Sequence, residues 1–210
     1  WAISINRNKK ARRKIISMLQ LKSAGVVYPN GVVGLKPTTL AFERRAFTVL
    51  LGLSGAGKST LLRSLNHLFA PTSGSVVVDG FETLEETGNL RKHRRQTAMI
   101  FQQHQLISRY TCLQNVLVGR LGHYSMWRTL FPFAKADRHL ALDCLDRVGL
   151  LSRALQRVYN LSGGQQQRVG IARAIAQQPN LILADEPVAS LDPETAQRVL
   201  GMLHEITKQD

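Results

Sequence analysis

The chain has 210 residues and 44% of them are apolar, so it can bury the core of one compact domain or of two small lobes. It contains no run of eighteen apolar residues, hence no predicted membrane-spanning helix, and its two cysteines, Cys112 and Cys144, lack metal-site spacing. The formal net charge of +14 is compatible with nucleic acid or anionic lipid as a partner, and also with a merely solvated basic surface.

Residues 1–17 differ in composition from the rest of the chain. They carry six lysines and arginines and no acidic residue, and no apolar core follows the charges as it would in a secretory signal. The first predicted strand begins at Met18. We therefore expect residues 1–17 to be a basic N-terminal extension outside the fold, and residues 18–210 to form the folded domain.

The segment Gly52–Thr60 has the composition of a phosphate-binding loop. Thr48–Leu51 is β-branched and apolar, which predicts a buried parallel strand, and residues 61–68 have helical apolar spacing. Glycines let the backbone N–H groups turn towards phosphate oxygens, Lys58 adds positive charge for the β and γ phosphates, and the Ser59 hydroxyl is placed to bind Mg²⁺. The alternative, a chance glycine-rich turn, is disfavoured by the flanking strand and helix. The predicted nucleotide contacts here are Ser54, Gly55, Ala56, Gly57, Lys58, Ser59 and Thr60.

The alternation of strands and helices is interrupted after the apolar run Met99–Gln102. Spacing within residues 103–160 predicts helices, for example Ala136–Val148 with Gly149 as a stop signal. The stretch Tyr124–Phe133 is dense in aromatic and apolar side chains. It predicts either packing inside a helical lobe or a surface for a partner.

Two further segments carry candidate site residues. Ser162–Gly164 opens a predicted helix, and a serine hydroxyl with two glycine amides at a helix start forms a second candidate anion site. Leu181–Ala184 predicts a buried strand that ends in two carboxylates, Asp185 and Glu186, where ligands of open α/β sheets bind. Alone, the first segment is equally a serine-capped helix without function, and the second a strand followed by an acidic turn.

The loop at 52–60, the segment Leu161–Arg168 and the segment Leu181–Pro187 occur in one order along the chain. Together they resemble the ATP-binding cassette (ABC) ATPases. The resemblance implies an α/β fold with a P-loop NTPase core of the RecA-like type, an antiparallel β subdomain, and an inserted α-helical subdomain at about 103–165. A P-loop kinase or GTPase would lack Leu161–Gln165.

The resemblance also implies roles for single residues. Asp185 orients Mg²⁺ and Glu186 polarises the water that attacks ATP. Gln102 touches Mg²⁺ and senses a transmembrane partner, with the adjacent Gln103 as the alternative residue. Tyr28 stacks on adenine, or is only the last residue of a strand before a turn. The implied catalytic residues are Glu186, Lys58 and Gln102, and those implied at Mg²⁺ are Ser59, Gln102 and Asp185.

In the family that the chain resembles, two copies form a head-to-tail dimer. Each ATP lies between the phosphate loop of one copy and the helix start of the other, which here comprises Ser162, Gly163, Gly164 and Gln165. Ser190–Asp192 corresponds to a loop that crosses the dimer interface. The resemblance therefore implies ATP and Mg²⁺ as cofactors and a second copy of the chain as a partner.

Other positions are similar to the ATPase subunit of bacterial phosphonate importers: Gly119–Gly122, Ser125–Phe131, Gln156–Arg157, Gln165–Gln167 and Ala184–Ser190. This similarity implies transmembrane permease subunits, indirectly a periplasmic phosphonate-binding protein, the cytoplasmic face of the bacterial inner membrane, and no nucleic acid. Importers of phosphite, phosphate esters or polar amino acids are alternatives, as are soluble ABC ATPases that act on nucleic acid or ribosomes.

The C-terminal end departs from the family pattern. The family's switch histidine would lie shortly beyond residue 210, and His204, in the helical pattern Leu200–Ile206, comes too early for that role. We expect a C-terminal truncation, with ATP binding retained and turnover slow.

Overall fold

The computed structural model describes residues 2–4, 17–81, 84, 86–103, 105–189 and 191–208. These residues form two compact units. The first comprises the chain through Thr97, Asn180–Asp185 and the residues from His204 on, and the second comprises Ala98–Pro179 and Glu186–Leu203. Within the described residues, no helix is both long and apolar enough to cross a membrane.

Strands and helices follow one another in a mixed α/β order. The strands are β1 Ala2–Ser4, β2 Ser17–Val27, β3 Val33–Glu43, β4 Phe47–Thr48, β5 Ser73–Val78, β6 Thr97–Ile100 and β7 Leu181–Ala184. The α-helices are α1 Lys58–Leu65, α2 Thr87–Gln96, α3 Cys112–Val118, α4 Lys135–Arg147, α5 Gly163–Ala176 and α6 Pro193–Lys208. Short 3-10 turns cover Leu121–His123, Trp127–Leu130, Leu151–Arg153 and Val158–Asn160.

The first unit contains an antiparallel sheet with the strand order β3-β2-β5. Strand β2 covers the predicted first strand, and its alternate side chains Leu19 and Leu21 are buried on one face. In the register of the sheet, Leu21 lies between Leu40 of β3 and Val76 of β5. The predicted antiparallel β subdomain is confirmed.

The remaining strands of the first unit correct one prediction. Strand β1 pairs antiparallel with both β4 and β7, so β4 and β7 run in the same direction on either side of it. The predicted buried strand Thr48–Leu51 is wrong, because β4 ends at Thr48, while Val49 and Leu51 are 38% and 90% exposed. The physical reason is the short partner: β1 pairs with β4 at Phe47 and Thr48, and the ladder ends there.

The expected extension, residues 1–17, falls mostly outside the described residues, since residues 1 and 5–16 are among those not described. Within it, the structure places Ala2–Ser4 in a strand that pairs with residues 181–183 of β7, and Ser17 in β2, where it pairs with Glu43, so these residues belong to the fold. For the remaining residues of the extension, the expected position outside the fold stays a prediction.

Helix α1 follows directly on the glycine-rich loop. It starts and ends earlier than the predicted residues 61–68, and it buries Leu61, Leu62 and Leu65 on one face. After it, His67 has a φ of 53°, which ends the helix because this left-handed backbone conformation interrupts the hydrogen-bond ladder. The strand predicted at Leu181–Ala184 is confirmed as β7, and all of its residues are buried.

The second unit contains α3, α4 and α5. Helix α4 confirms the predicted helix 136–148, and Gly149 ends it with a φ of 69°. Helix α5 confirms the helix predicted after Ser162, and its stripe Val169, Ala172 and Ala176 is buried. The chain therefore forms helices within the stretch 103–160, as its spacing predicts.

The aromatic stretch Tyr124–Phe133 divides between its two interpretations. Tyr124 and Phe133 are half-buried and contact each other edge to face, as lobe packing predicts. Four large side chains between them are 67% to 76% exposed: Met126, Trp127, Leu130 and Phe131. For these four side chains the packing interpretation is wrong.

Candidate nucleotide site

The phosphate loop of the first unit depends on glycine at the start of α1. Gly57 caps the helix with a φ of 85°, and no side chain bonds the free N–H groups of the first turn. A Cβ at this position would lie 2.8 Å from the carbonyl oxygen of Gly34. Gly55, with a φ of 79°, has open space around it instead. The helix start thus presents unpaired donors of the kind that bind phosphate.

The ammonium group of Lys58 is held over the loop by its own backbone. Its Nζ donates hydrogen bonds to the carbonyl oxygens of Gly52 and Leu53, each at 2.8 Å. An ammonium group has three donors, so these bonds leave one N–H for a phosphate oxygen. The arrangement places a positive charge beside the helix start before any ligand contributes.

Two groups whose oxygen atoms could bind a cation, the Ser59 hydroxyl and the Asp185 carboxylate, contact each other at the start of α1. The Ser59 hydroxyl donates to Asp185 Oδ1 at 2.7 Å, and Asp185 is 2% exposed. Arg63 lies 3.8 Å from the other oxygen of this carboxylate and offsets part of its buried charge. A hydroxyl and a carboxylate are ligands that Mg²⁺ prefers, so the residues present fit that ion.

Tyr28 lies against the same helix. Its hydroxyl is 2.8 Å from Thr60 Oγ1, and its ring contacts Phe69 edge to face at a centroid distance of 5.6 Å. A Cβ on Gly34 would lie 2.5 Å from the tyrosine ring, so a side chain at this position would displace the ring. Tyr28 is therefore packed on the phosphate-loop helix, and its stacking on adenine stays a prediction.

In the second unit, Gln102 and Glu186 form a pair. Gln102 Nε2 donates to Glu186 Oε2 at 2.9 Å, which favours Gln102 over the neighbouring Gln103 as the residue that acts with the carboxylate. Glu186 has a φ of 48°, a left-handed backbone conformation that costs energy in any residue with a side chain. The Gln102 amide holds the exposed Glu186 carboxylate in one orientation. The role predicted for Glu186, orienting a water molecule, requires such a fixed carboxylate.

The start of α5 is capped by its own residues. Ser162 Oγ accepts a hydrogen bond from the Gln165 N–H, and the Gln165 side chain accepts one from the Ser162 N–H. The two glycines that follow differ: Gly163 has open space around it, while a Cβ on Gly164 would lie 3.1 Å from Leu191 Cδ2. The predicted second anion site therefore lies at a helix start that is already partly satisfied.

Sequence analysis missed Gln167. Its side chain is 2% exposed, and its Nε2 donates to the carbonyl oxygen of Pro187 at 2.8 Å, directly after Glu186 in the chain. The available signal was periodicity, since Gln167, Ile171 and Ala174 share one buried stripe of α5. An amide on such a stripe needs a partner, because an unpaired buried polar group is costly.

The loop predicted at Ser190–Asp192 is only partly described, since Ser190 lies outside the described residues. Asp192 Oδ1 accepts a hydrogen bond from the Thr195 N–H at 2.9 Å, so Asp192 caps the start of α6. Hydrogen bonds from the backbone and side chain of Thr195 lower the pKa of Asp192. Asp192 therefore has a local role as a helix cap, and its contact across a dimer interface stays a prediction.

A sequence model of the family described as ABC transporter matches residues 35–189. The chain belongs to the ABC transporter family. The matched range contains the phosphate loop, the helix start at Ser162 and both carboxylates, Asp185 and Glu186. This ABC transporter chain is an ATPase, as the order of its segments predicts.

Similar proteins and structures agree with this assignment. A phosphonates import ATP-binding protein of Nostoc sp. is 58% identical over 193 residues, which are 92% of this chain and 74% of that protein. A phosphite import ATP-binding protein of Stutzerimonas stutzeri is 61% identical over 197 residues, covering 92% of this chain and 70% of that protein.

Solved structures confirm the fold. An ATP-binding cassette in a dimeric post-hydrolysis state, bound to ADP and Pi, has a TM-score of 0.80 at 34% identity, over 91% of this chain and 83% of that chain. A component of an ABC transporter complex from Clostridium perfringens has a TM-score of 0.75 at 28% identity, over 91% of this chain and 74% of that chain. The predicted ABC ATPase fold is confirmed.

Proposed function

We propose that this ABC transporter ATPase drives the import of phosphonates. The observation that carries the proposal is similarity over almost the whole chain: the phosphonates import protein of Nostoc sp. is 58% identical across 92% of it. A second candidate cargo is phosphite, favoured by the relative from Stutzerimonas stutzeri at 61% identity. The residues discussed above are assigned to ATP and Mg²⁺, so the cargo must be tested in the cell.

The first unit binds the triphosphate. The free amides at the start of α1 and the third N–H of Lys58 hold phosphate oxygens, because both are unpaired donors beside a positive charge. Ser59 and Asp185 would hold Mg²⁺, which neutralises phosphate charge and orients the phosphoryl group. Tyr28, which contacts Thr60, provides the aromatic surface for adenine.

Glu186 accepts a proton from the attacking water. Gln102 fixes one carboxylate oxygen of Glu186, which leaves the other free to accept. Substituting Glu186 with Gln keeps the shape of this side chain and removes its basicity. We expect that variant to bind ATP and to hold the dimer closed, so a Glu186→Gln protein that stays monomeric with ATP would contradict this role.

Each copy of the chain carries only part of an ATP site, so two copies are needed to complete one. The phosphate loop of one copy and the residues Ser162, Gly163, Gly164 and Gln165 of a second copy enclose each ATP, in the head-to-tail dimer of the family. The dimer works with transmembrane permease subunits and, indirectly, a periplasmic phosphonate-binding protein. It lies peripherally on the cytoplasmic face of the bacterial inner membrane.

Growth on a single phosphorus source tests the cargo. A strain deleted for the gene is grown on a simple phosphonate, on phosphite, or on phosphate, and is complemented with wild type or Glu186→Gln. We expect growth on phosphonate to be lost, to return with wild type alone, and to be normal on phosphate. Loss on phosphite alone would establish the second candidate, and normal growth on all three sources would refute both cargoes.

A further inference from the structure

We propose that the second unit carries a membrane-binding tip, made of Met126, Trp127, Leu130 and Phe131, which inserts into the surface of an anionic lipid bilayer. This "apolar tip" lies outside the nucleotide site, and the proposal does not depend on the cargo.

The exposure of the apolar tip is unusual for its composition. Trp127 is 72% exposed and Leu130 is 76% exposed, and all four large apolar side chains of the tip lie within six consecutive residues. Scattered exposed apolar residues are common on proteins, but a contiguous exposed group marks a surface that another phase or molecule covers.

Hydrogen bonds and a cation–π contact hold the segment that carries the apolar tip. Tyr124 donates a hydrogen bond to the buried carboxylate of Asp137, which also accepts from Arg120 Nε at 2.7 Å. Arg128 Nη1 donates to the carbonyl oxygen of Pro132 at 2.9 Å, and its guanidinium group lies 5.0 Å from the centre of the Tyr124 ring. These contacts hold the tip outward, so its exposure is a property of an ordered segment.

The charges around the apolar tip select the partner. Between residues 119 and 142 the single acidic residue is Asp137, and Arg120 is already paired with it. Lys135 and Arg138, both exposed, follow the tip, and Arg128 lies within it. Aromatic and aliphatic side chains next to cations are the composition of segments that lie in the interface of anionic membranes.

A shallow depression lies beside the apolar tip. Its walls combine apolar surface with one cation and two hydroxyl groups, and the lining residues are Leu121, Tyr124, Arg128, Thr129, Phe131 and Phe133. The depression has room for only about one water molecule, so the lipid contact falls to the four exposed side chains of the tip. An acidic protein surface would match the cations but would leave the four exposed apolar side chains in water.

Vesicle binding without nucleotide tests the proposal. The purified chain is sedimented with vesicles of phosphatidylglycerol and phosphatidylcholine, and with vesicles of phosphatidylcholine alone. We expect binding to the anionic vesicles that weakens as salt is added, because the cations contribute through screened attraction. In a Trp1→Phe background, where Trp127 is the remaining tryptophan, its emission should shift to the blue and be quenched by lipids brominated in the acyl chain.

Matched variants identify the surface that binds. Leu130→Ser should weaken vesicle binding about tenfold, because it removes a leucine that is buried in lipid. Leu155→Ser is the control, since Leu155 is 79% exposed, similar to Leu130 at 76%. Leu155 lies near the first residues of α3, whereas the tip follows the end of that helix in the chain. Lys135→Gln should weaken binding about fivefold. Thermal unfolding should be unchanged in all three variants, because these side chains are exposed.

Three results would overturn the proposal. Failure of the wild-type chain to bind anionic vesicles at low salt is the first. Equal vesicle binding by wild type and Leu130→Ser is the second, since it would assign the lipid contact to another basic face. The third is a Trp127 emission that shifts on adding permease subunits in detergent but not on adding vesicles, which would assign the tip to a protein partner.

Discussion

The starts of helices α1 and α5 differ in whether the chain itself provides partners for their backbone N–H groups. Helix α1 begins at Gly57 and has no side-chain cap, while α5 begins at Ser162 and has a complete capping box with Gln165. The first four N–H groups of any helix lack partners within the helix. In α1 these groups are left for a ligand, whereas in α5 part of them is satisfied by the chain itself.

The difference shows how function and stability are divided between the two units. An uncapped helix start lowers stability and gains affinity for an anion, so we propose that the phosphates of ATP complete the start of α1. The capped start of α5 keeps its shape by itself. We expect variants at α1 to alter nucleotide binding most, and variants at α5 to alter stability and turnover more than affinity.

The largest effect is expected from Gly57→Ala. Its Cβ would lie 2.8 Å from the Gly34 carbonyl oxygen, at a φ of 85°, and strain of this kind costs roughly 1–3 kcal/mol. Binding of a fluorescent ATP analogue should weaken more than tenfold. Gly55→Ala, with a φ of 79° and open space, is the control for backbone strain without the clash. Equal losses in the two variants would show that the contact with Gly34 is unimportant.

Gln167→Met should have the next largest effect. Methionine keeps the volume and cannot donate to the Pro187 carbonyl, which stays buried without its partner and costs about 1–3 kcal/mol. Because Pro187 follows Glu186, we expect kcat to fall while the Kd for ATP is unchanged. Gln167→Leu, which also lacks the donor, should share the low kcat. If both variants keep a normal kcat, Gln167 is a structural residue and does not position Glu186.

Ser162→Ala tests the capped helix start. Loss of the hydroxyl that accepts from Gln165 should lower the free energy of unfolding by about 1 kcal/mol. Thr111→Ala is the matched control, because Thr111 and Gln114 form the same capping box at the start of α3. Chemical denaturation should give similar losses for both variants, and ATP turnover should fall for Ser162→Ala alone. Equal turnover in the two would remove Ser162 from the site.

The smallest effect is expected from His93, which contacts the last residue of α1 and makes the free energy of unfolding depend on pH. Buried His93 has a nitrogen 2.9 Å from the Leu65 carbonyl oxygen, and burial is the main reason that its pKa lies below 6.5, with further lowering by the nearby positive charges of His67 and Arg94. A lowered folded-state pKa favours the neutral form, so this contribution to stability is complete above pH 6.5 and is lost as the pH falls below it.

Denaturation curves above and below pH 6.5 measure this dependence. We expect the free energy of unfolding of the wild type to decrease towards acid more steeply than that of His93→Gln, which cannot titrate. An identical slope in both proteins would show that His93 does not contribute to the pH dependence.

Local patterns predicted much of this molecule. The capping serine of α5, the stop of α4 at Gly149 and the buried strand β7 depend on residues within a few positions of each other. Helix periodicity, capping and left-handed glycine act over one or two turns, so they are visible in the sequence. The order of the three motif segments identified the family for the same reason.

Other features depend on residues that are distant in sequence. The predicted strand Thr48–Leu51 was wrong because the length of β4 is set by its pairing with β1, which lies far from it in the sequence. Gln102 and Gln103 are indistinguishable by spacing, and only the bond to Glu186, 84 positions away, separates them. Gln167 was missed because its partner, the Pro187 carbonyl, is a backbone group that no side-chain pattern reveals.

Residue patterns in the sequence therefore predicted the family, the helices at both candidate anion sites and the candidate residues themselves. The tertiary structure alone decided which of them are joined: Ser59 to Asp185 across 126 positions, and Gln102 to Glu186. It also decided that Trp127 and Leu130 face solvent. The physical reason is that a hydrogen-bond partner and the burial of a side chain depend on distant segments, which local periodicity and capping do not encode.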